Sequence, residues 1–142
     1  MTAFLEAMAM SESSNNPKAI NKFGMLGKYQ FSPATLRAMG VKVSRRKFLN
    51  DERLQDSVML VYIRDNWTNL HRYKKHIGKK HKGIIVTKSG LIAAAHLVGI
   101  GGVCAEFNPK RCKYITKDAN GITAVKYMAK FANYEITLPT RK

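Results

Sequence analysis

Residues 12 to 33 read E-S-S-N-N-P-K-A-I-N-K-F-G-M-L-G-K-Y-Q-F-S-P, with two prolines, two glycines and three asparagines in 22 positions. Proline removes a backbone donor and fixes φ, while glycine and asparagine favour turns and left-handed backbone. No regular helix or strand runs through such a segment. It must hang as a loop or broken helix between elements that supply the core. Its first residue, Glu12, is one of only nine acidic residues in the chain and sits among serine and asparagine.

The flanking segments carry helical periodicity. Thr2 to about Ser11 is expected to form a short helix burying Phe4, Leu5 and Met8, which leaves Glu12 near its C-terminal end. Ser32 suits an N-cap and Pro33 the first turn of a second helix, which runs past Leu36 and Met39 until Gly40 closes it. Val41 to Phe48 reads as a basic connector containing Arg45, Arg46 and Lys47. Asn50 or Asp51 can cap a long central helix reaching about Leu70, with Leu54, Val58, Val61, Tyr62, Trp67 and Leu70 near helical spacing. His71 to Lys82 reads as a solvated basic face. Ile84 to Thr87 is β-branched and short, which predicts a brief strand. Thr87 or Ser89 can cap a helix from Leu91 to Val98, ended by the glycines at 99, 101 and 102. Cys104 to Asn120 reads mostly as loop. Thr123 caps a last helix carrying Val125, Tyr127, Met128 and Phe131. The fold class expected is mostly α: a single domain over residues 1–142, a helical bundle with a substrate cleft and at most a very small β element.

Twenty-five Lys and Arg give a formal charge of +16. Such a surface seeks a polyanion, whether nucleic acid, anionic lipid or an acidic cell wall. No helix-turn-helix, zinc-finger or RNA-recognition signature accompanies the charge, so no specific nucleic-acid partner is expected. Cys104 and Cys112 are too few for a disulfide framework; two free, partly buried thiols are narrowly favoured over a single disulfide. His71, His76 and His81 recur every five residues, a period that does not align them on one helix face. No carboxylate joins them, so no metal is expected. Tyr73 and Trp67 could stack on sugars, although a tryptophan at this spacing is more often a core anchor. The N-terminus lacks a charged region followed by an apolar one and is not expected to be a secretory signal. The stretch LIAAAHLVGIGGV is expected to be too short and too glycine-rich for a membrane span.

The run from Glu12 to Pro33 resembles the signature of the lytic transglycosylase and goose-type lysozyme superfamily, in which Glu-Ser ends a helix and Gly-x-x-Gly-x-x-Gln-x-x-Pro follows. Ala94-Ala-His-Leu-Val-Gly-Ile-Gly101 resembles that family's Ala-Ala-Tyr-Asn-Ala-Gly-Pro-Gly block. Asp118-Ala-Asn-Gly with Tyr127 and Phe131 resembles the tail of its phage-type members. Together the blocks span Glu12 to Phe131.

The resemblance implies a lysozyme-like domain, with a cleft between a small lobe and a bundle around the Asp51–Leu70 helix. It implies cleavage of the β-1,4 bond between N-acetylmuramic acid and N-acetylglucosamine. Glu12 would be the one catalytic residue, acting first as acid and then as base. That chemistry needs an acid placed where partial burial keeps it protonated. Gln30 falls at the family's substrate-contacting glutamine, and Asn21 could donate to the N-acetyl group. Gly24 and Gly27 would let backbone approach the sugar, and Ser32 joins the substrate-binding set. His96 stands where the family usually has tyrosine, with Leu97 in place of the following asparagine.

The implied partner is the anionic peptidoglycan glycan strand, met by a monomer without cofactors. The implied setting is a phage endolysin, a virion-associated muralytic protein or a secreted effector acting on the cell wall. Two alternatives stand beside this reading. One is a hydrolytic lysozyme of the same fold, using Asp51, Asp56, Glu106 or Asp118 as a second carboxylate. The other is a non-catalytic basic protein that binds nucleic acid or glycan.

Overall fold

The structure, a computed structural model, describes residues 2 to 138. These residues form six α-helices, a 3-10 turn and a two-stranded antiparallel sheet, so the fold is mostly α with a very small β element. The chain divides into two compact units, 2–62 and 63 onward. Each is described by itself.

The first unit holds α1 (Thr2–Ser13), α2 (Pro33–Ala38), α3 (Arg45–Leu49) and the start of α4 (Glu52–Asn69). Caps set the helix starts. Ser32 accepts from the Thr35 N–H at 3.0 Å and Asp51 from the Leu54 N–H at 3.0 Å, each satisfying a donor that the first helical turn leaves over. The expected basic connector contains α3. Ser44 caps it through the Lys47 N–H at 3.1 Å, and its Phe48 is buried. The ring of Phe31 meets Tyr29, Phe48 and Tyr62 edge-on at centroid distances of 6.3, 6.3 and 5.5 Å. Phe4, Met8, Leu26, Leu36, Val58 and Met59 complete this core. The buried line of α4 differs from the expected stripe: Val61 is exposed, and the glutamine at 55 takes a fully buried place.

The second unit continues with the 3-10 turn Lys74–His76, β1 (Lys80–His81), β2 (Ile84–Ile85), α5 (Lys88–Phe107) and α6 (Ala124–Lys130). Lys80 pairs with Ile85 and His81 with Ile84, so the expected strand exists as one arm of a minimal hairpin. Thr87 is the cap of α5, accepting from the Gly90 N–H at 3.1 Å. Ser89, the other candidate, instead donates to the Phe131 carbonyl and accepts from the Tyr134 N–H, which fastens the chain beyond α6 to α5.

Two expectations are corrected here. The helix does not end at Val98: Gly99 turns left-handed (φ 73°, ψ 173°) and kinks the chain, and helix resumes through Phe107. Glycine supplied the kink without ending the element, so Cys104 to Phe107 is helix and not loop. Cys104 and Cys112 form a disulfide and are not free thiols; their Cα atoms are 5.7 Å apart. Asn108 makes this possible, since its carbonyl accepts from the Arg111 and Cys112 N–H groups and turns the chain back. By length and composition alone, α5 has 20 residues and a stretch of mean hydropathy 1.6, which is long and apolar enough to cross a membrane. In this fold most of its residues are buried inside the protein, and a core helix needs the same composition.

Close approach of α5 and α6 depends on Gly90, where an added Cβ would lie 2.8 Å from the Met128 carbonyl oxygen. Backbone cannot yield as a flexible side-chain end can. Gly90→Ala should therefore lower stability by about 1–3 kcal/mol in urea unfolding. An unchanged midpoint would contradict this packing.

Candidate active site

Glu12 lies half-buried in the last turn of α1. The helix ends beyond it because Ser14 (φ 56°) and Asn15 (φ 62°) turn left-handed, and their N–H groups bond the Met10 and Ala9 carbonyls at 3.0 Å each. Ser13 fastens this helix end. Its hydroxyl accepts from the Asn16 N–H at 2.9 Å and donates to the Lys28 carbonyl at 2.8 Å. The residue beside Glu12 is thereby tied to the glycine-containing loop.

That loop is shaped by its own backbone and by one side chain from α4. Leu26 and Phe31 exchange both backbone bonds, at 2.8 and 2.9 Å, and Gly27 donates to the Ala19 carbonyl at 2.8 Å. The tight turn they enclose uses left-handed backbone at Gly27 (φ 79°) and Gln30 (φ 58°). Gln55, at 0% exposure, reaches into it. Its Oε1 accepts from the Lys28 N–H at 2.9 Å, and its Nε2 donates to the Pro17 carbonyl at 2.8 Å and the Phe48 carbonyl at 2.9 Å. A Cβ on Gly27 would stand 2.5 Å from that Oε1, whereas one on Gly24 would meet nothing within 4 Å. Gly27 is thus demanded by both space and φ, and Gly24 by its φ of 81° alone.

Below the turn lies a polar cluster. Lys28 Nζ is 2.8 Å from Asp56 Oδ1 and 3.1 Å from Glu52 Oε1, and the Tyr29 hydroxyl donates to Asp56 at 2.6 Å. Burial acts to lower the Lys28 pKa, but the hydrogen bonds and charges of Asp56 and Glu52 outweigh it and leave it raised. Burial first, and then Asp56, push the Tyr29 phenol up. Beside the loop, a cavity of about 290 Å³ is lined by Leu26, Pro33, Leu36 and Phe48 together with Arg37 and Arg45.

The expected site residues fall in two groups. Asn21, Gly24, Gly27, Gln30 and Ser32 share the first unit with Glu12. Two of their polar groups serve the loop itself and a third serves α2. Asn21 Oδ1 accepts from the Phe23 and Met25 N–H groups at 2.9 Å each, Gln30 Nε2 donates to the Gly27 carbonyl at 2.9 Å, and Ser32 caps α2. His96 belongs to the second unit, part-exposed on α5 just before the Gly99 kink. The glycines after that kink are covered by the chain's own Tyr114 ring at Gly101 and Ile115 carbonyl at Gly102.

The four carboxylates weighed as a second acid have other work. Asp51 caps α4, and Asp56 holds Lys28 and Tyr29. Asp118 accepts from the Asn120 and Ile122 N–H groups. Glu106, its side chain only 3% exposed, pairs with His81 at 2.8 Å and Lys82 at 2.6 Å. Glu106 corrects the reading of the basic run, because a carboxylate from α5 does reach one of its histidines, His81. Nor is the run wholly solvated: Tyr73 is buried and His76 lies flat on Phe107, with ring centroids 4.2 Å apart. Trp67 carries Lys74 and Lys88 against its ring, at 4.0 and 4.7 Å. Among the described residues, no group of three or more His, Cys, Asp or Glu could hold a metal ion.

Sequence reasoning missed Gln55, Lys28 and Tyr29, and weighed Asp56 only as a second acid. For Gln55 a signal existed: it occupies the helical spacing of Val58, Met59 and Tyr62, where a polar residue has to find buried partners. Compared with protein-family models, curated proteins and solved structures, the chain matches none.

Lys28 and Tyr29 both hold their protons more tightly in the folded chain than in the unfolded one. The stability they contribute is complete below about pH 10 and is lost as pH rises above that value. Thermal melts from about pH 9 to about pH 11 should therefore fall, and Tyr29→Phe should flatten the decline. An equally steep decline in the variant would contradict the assignment.

Proposed function

We propose that this chain cuts peptidoglycan glycan strands at the β-1,4 bond between N-acetylmuramic acid and N-acetylglucosamine, with Glu12 as its single catalytic carboxylate. The observation that carries this reading is the setting of Glu12. It is half-buried at the end of α1 and tied through Ser13 to a loop that Gln55 fixes before any substrate arrives. A preset geometry of this kind is what positioned acid catalysis requires. The resemblance of residues 12 to 33 to the lytic transglycosylase signature supplies the substrate class. Gly24, with open space where a Cβ would be, leaves backbone bare to a passing strand.

In the proposed reaction the Glu12 carboxyl gives its proton to the bridging oxygen as the bond from muramic C1 breaks. The muramic N-acetyl oxygen stabilises the positive charge developing at C1. The Glu12 carboxylate then takes the proton of the muramic 6-hydroxyl as that oxygen closes on C1. A 1,6-anhydro sugar results, no water is consumed, and Glu12 ends protonated as it began. The engagement of Asp51, Asp56, Glu106 and Asp118 elsewhere favours this route over hydrolysis with a second carboxylate. Asn21 Oδ1 and Gln30 Nε2 are committed to the loop, so Asn21 Nδ2 and Gln30 Oε1 are the amide atoms that would meet substrate.

The charge of +16 suits an anionic wall, and the Cys104–Cys112 disulfide suits an oxidising compartment. A phage-encoded wall enzyme or a secreted effector meets both conditions.

Digestion of purified peptidoglycan followed by mass spectrometry of the products tests the reading. Anhydromuramic ends are expected from the wild type, with release lowered at least about 100-fold in Glu12→Gln. Reducing ends would assign hydrolysis instead. Intact glycan together with retarded DNA at moderate salt would remove the enzyme reading altogether.

A further inference from the structure

The basic run after α4 builds something beyond a charged face. In the second unit it lines a half-open chamber of about 350 Å³, bordered by Arg72, Tyr73, Lys75, His76, Phe107 and Arg111. Among the described residues, Arg72, Lys75 and Arg111 make no ion pair. Glu106, the acid next to Phe107 in the chain, is already taken by His81 and Lys82. Among the described residues, then, three permanent cations on the chamber's lining have no neutralising acid.

Its walls are fixed in place. His76 lies parallel to the Phe107 ring within 9°, and Phe107 stacks on Tyr73 at 6.0 Å. Arg111 stands on a preset turn. Its N–H bonds the Asn108 carbonyl at 3.1 Å and Asn108 Oδ1 at 3.3 Å. The neighbouring Cys112 is bonded to Cys104, which itself lines the chamber. The disulfide thus restricts the backbone that carries this guanidinium, which lowers the ordering cost of binding.

We propose that this chamber binds a phosphate monoester. Guanidinium forks match the oxygens of a phosphate group in geometry and charge. Three cations suit a dianion better than a single carboxylate, and a chamber of this size suits a compact end group better than a length of polymer. His76 adds support. Burial first, and then the positive charges of Lys75, His81 and Lys79, lower its pKa. A bound dianion would offset those charges and let the imidazole join as a donor. The proposal does not depend on the chemistry assigned to Glu12.

NMR titration of the intact, oxidised chain tests it, using inorganic phosphate, glucose 6-phosphate, dimethyl phosphate and acetate at matched ionic strength. Inorganic phosphate and glucose 6-phosphate should give saturable shifts at His76, Phe107 and Arg111 and raise the His76 titration midpoint. Dimethyl phosphate and acetate should bind at least about tenfold more weakly, and Arg111→Gln should weaken phosphate binding by a similar factor. Tighter binding of glucose 6-phosphate would assign a phosphorylated sugar, and equal binding would assign free phosphate. Three results would overturn the proposal: shifts spread evenly over Lys and Arg without saturation, shifts indifferent to Arg111→Gln, or tighter binding of a short oligonucleotide at the same residues. Because Arg111→Gln leaves the disulfide intact, the test does not require a reduced protein to fold.

Discussion

A primary amide shut away from water must find partners for its carbonyl and its two N–H groups. Gln55 finds three of them on three separate segments, at Pro17, Lys28 and Phe48. Leaving any one of these groups buried and unpaired would cost about 1–3 kcal/mol. Within a network the losses do not stay separate. A segment as long and irregular as residues 14 to 31 is rare in a compact fold unless it binds or catalyses. Here its shape rests less on its own turns than on this one side chain from α4. Gly27 shows the tightness of the fit, because even a methyl group at its Cα would displace the amide.

The second unit is held by links of a different kind. Ser89 ties the chain after α6 to α5, Glu106 ties the β1 end of the hairpin to α5, and the disulfide turns the chain back along the end of α5. All three rest on α5, whose kink at Gly99 separates an arm carrying His96 from one carrying Cys104 and Glu106. Such discrete links spare a strongly cationic chain from relying on its surface, where like charges repel. Among the described residues they leave Arg72, Lys75 and Arg111 without a neutralising acid, which is why a chamber lined by them suits an anion.

Most helix starts were legible because caps act over three or four residues. Ser32, Thr87 and Thr123 each accept the bond expected of them, and Glu12 falls in the last turn of its helix as the punctuation after it implied. The features that were not legible depend on partners far apart in the chain. Glu106 reaches His81 across 25 positions, and Gln55 reaches Lys28 across 27. The disulfide depended on the turn at Asn108, and the continuation of α5 on whether Gly99 would stop the helix or bend it. For the candidate site, the sequence marked Glu12 and the loop that carries Asn21, Gln30 and Ser32. It gave no sign that Asn21 and Gln30 are engaged with the loop's own backbone.

If Gln55 organises the loop that presents Glu12, its loss should release the loop and silence the enzyme together. Amide hydrogen exchange of Gln55→Leu, read beside glycan release by the same sample, tests that claim most directly. The account predicts that the Gly27, Lys28 and Phe31 amides lose protection while the amides of α5 keep theirs, and that turnover falls with the loop. Full turnover from a chain whose loop amides exchange freely would contradict it.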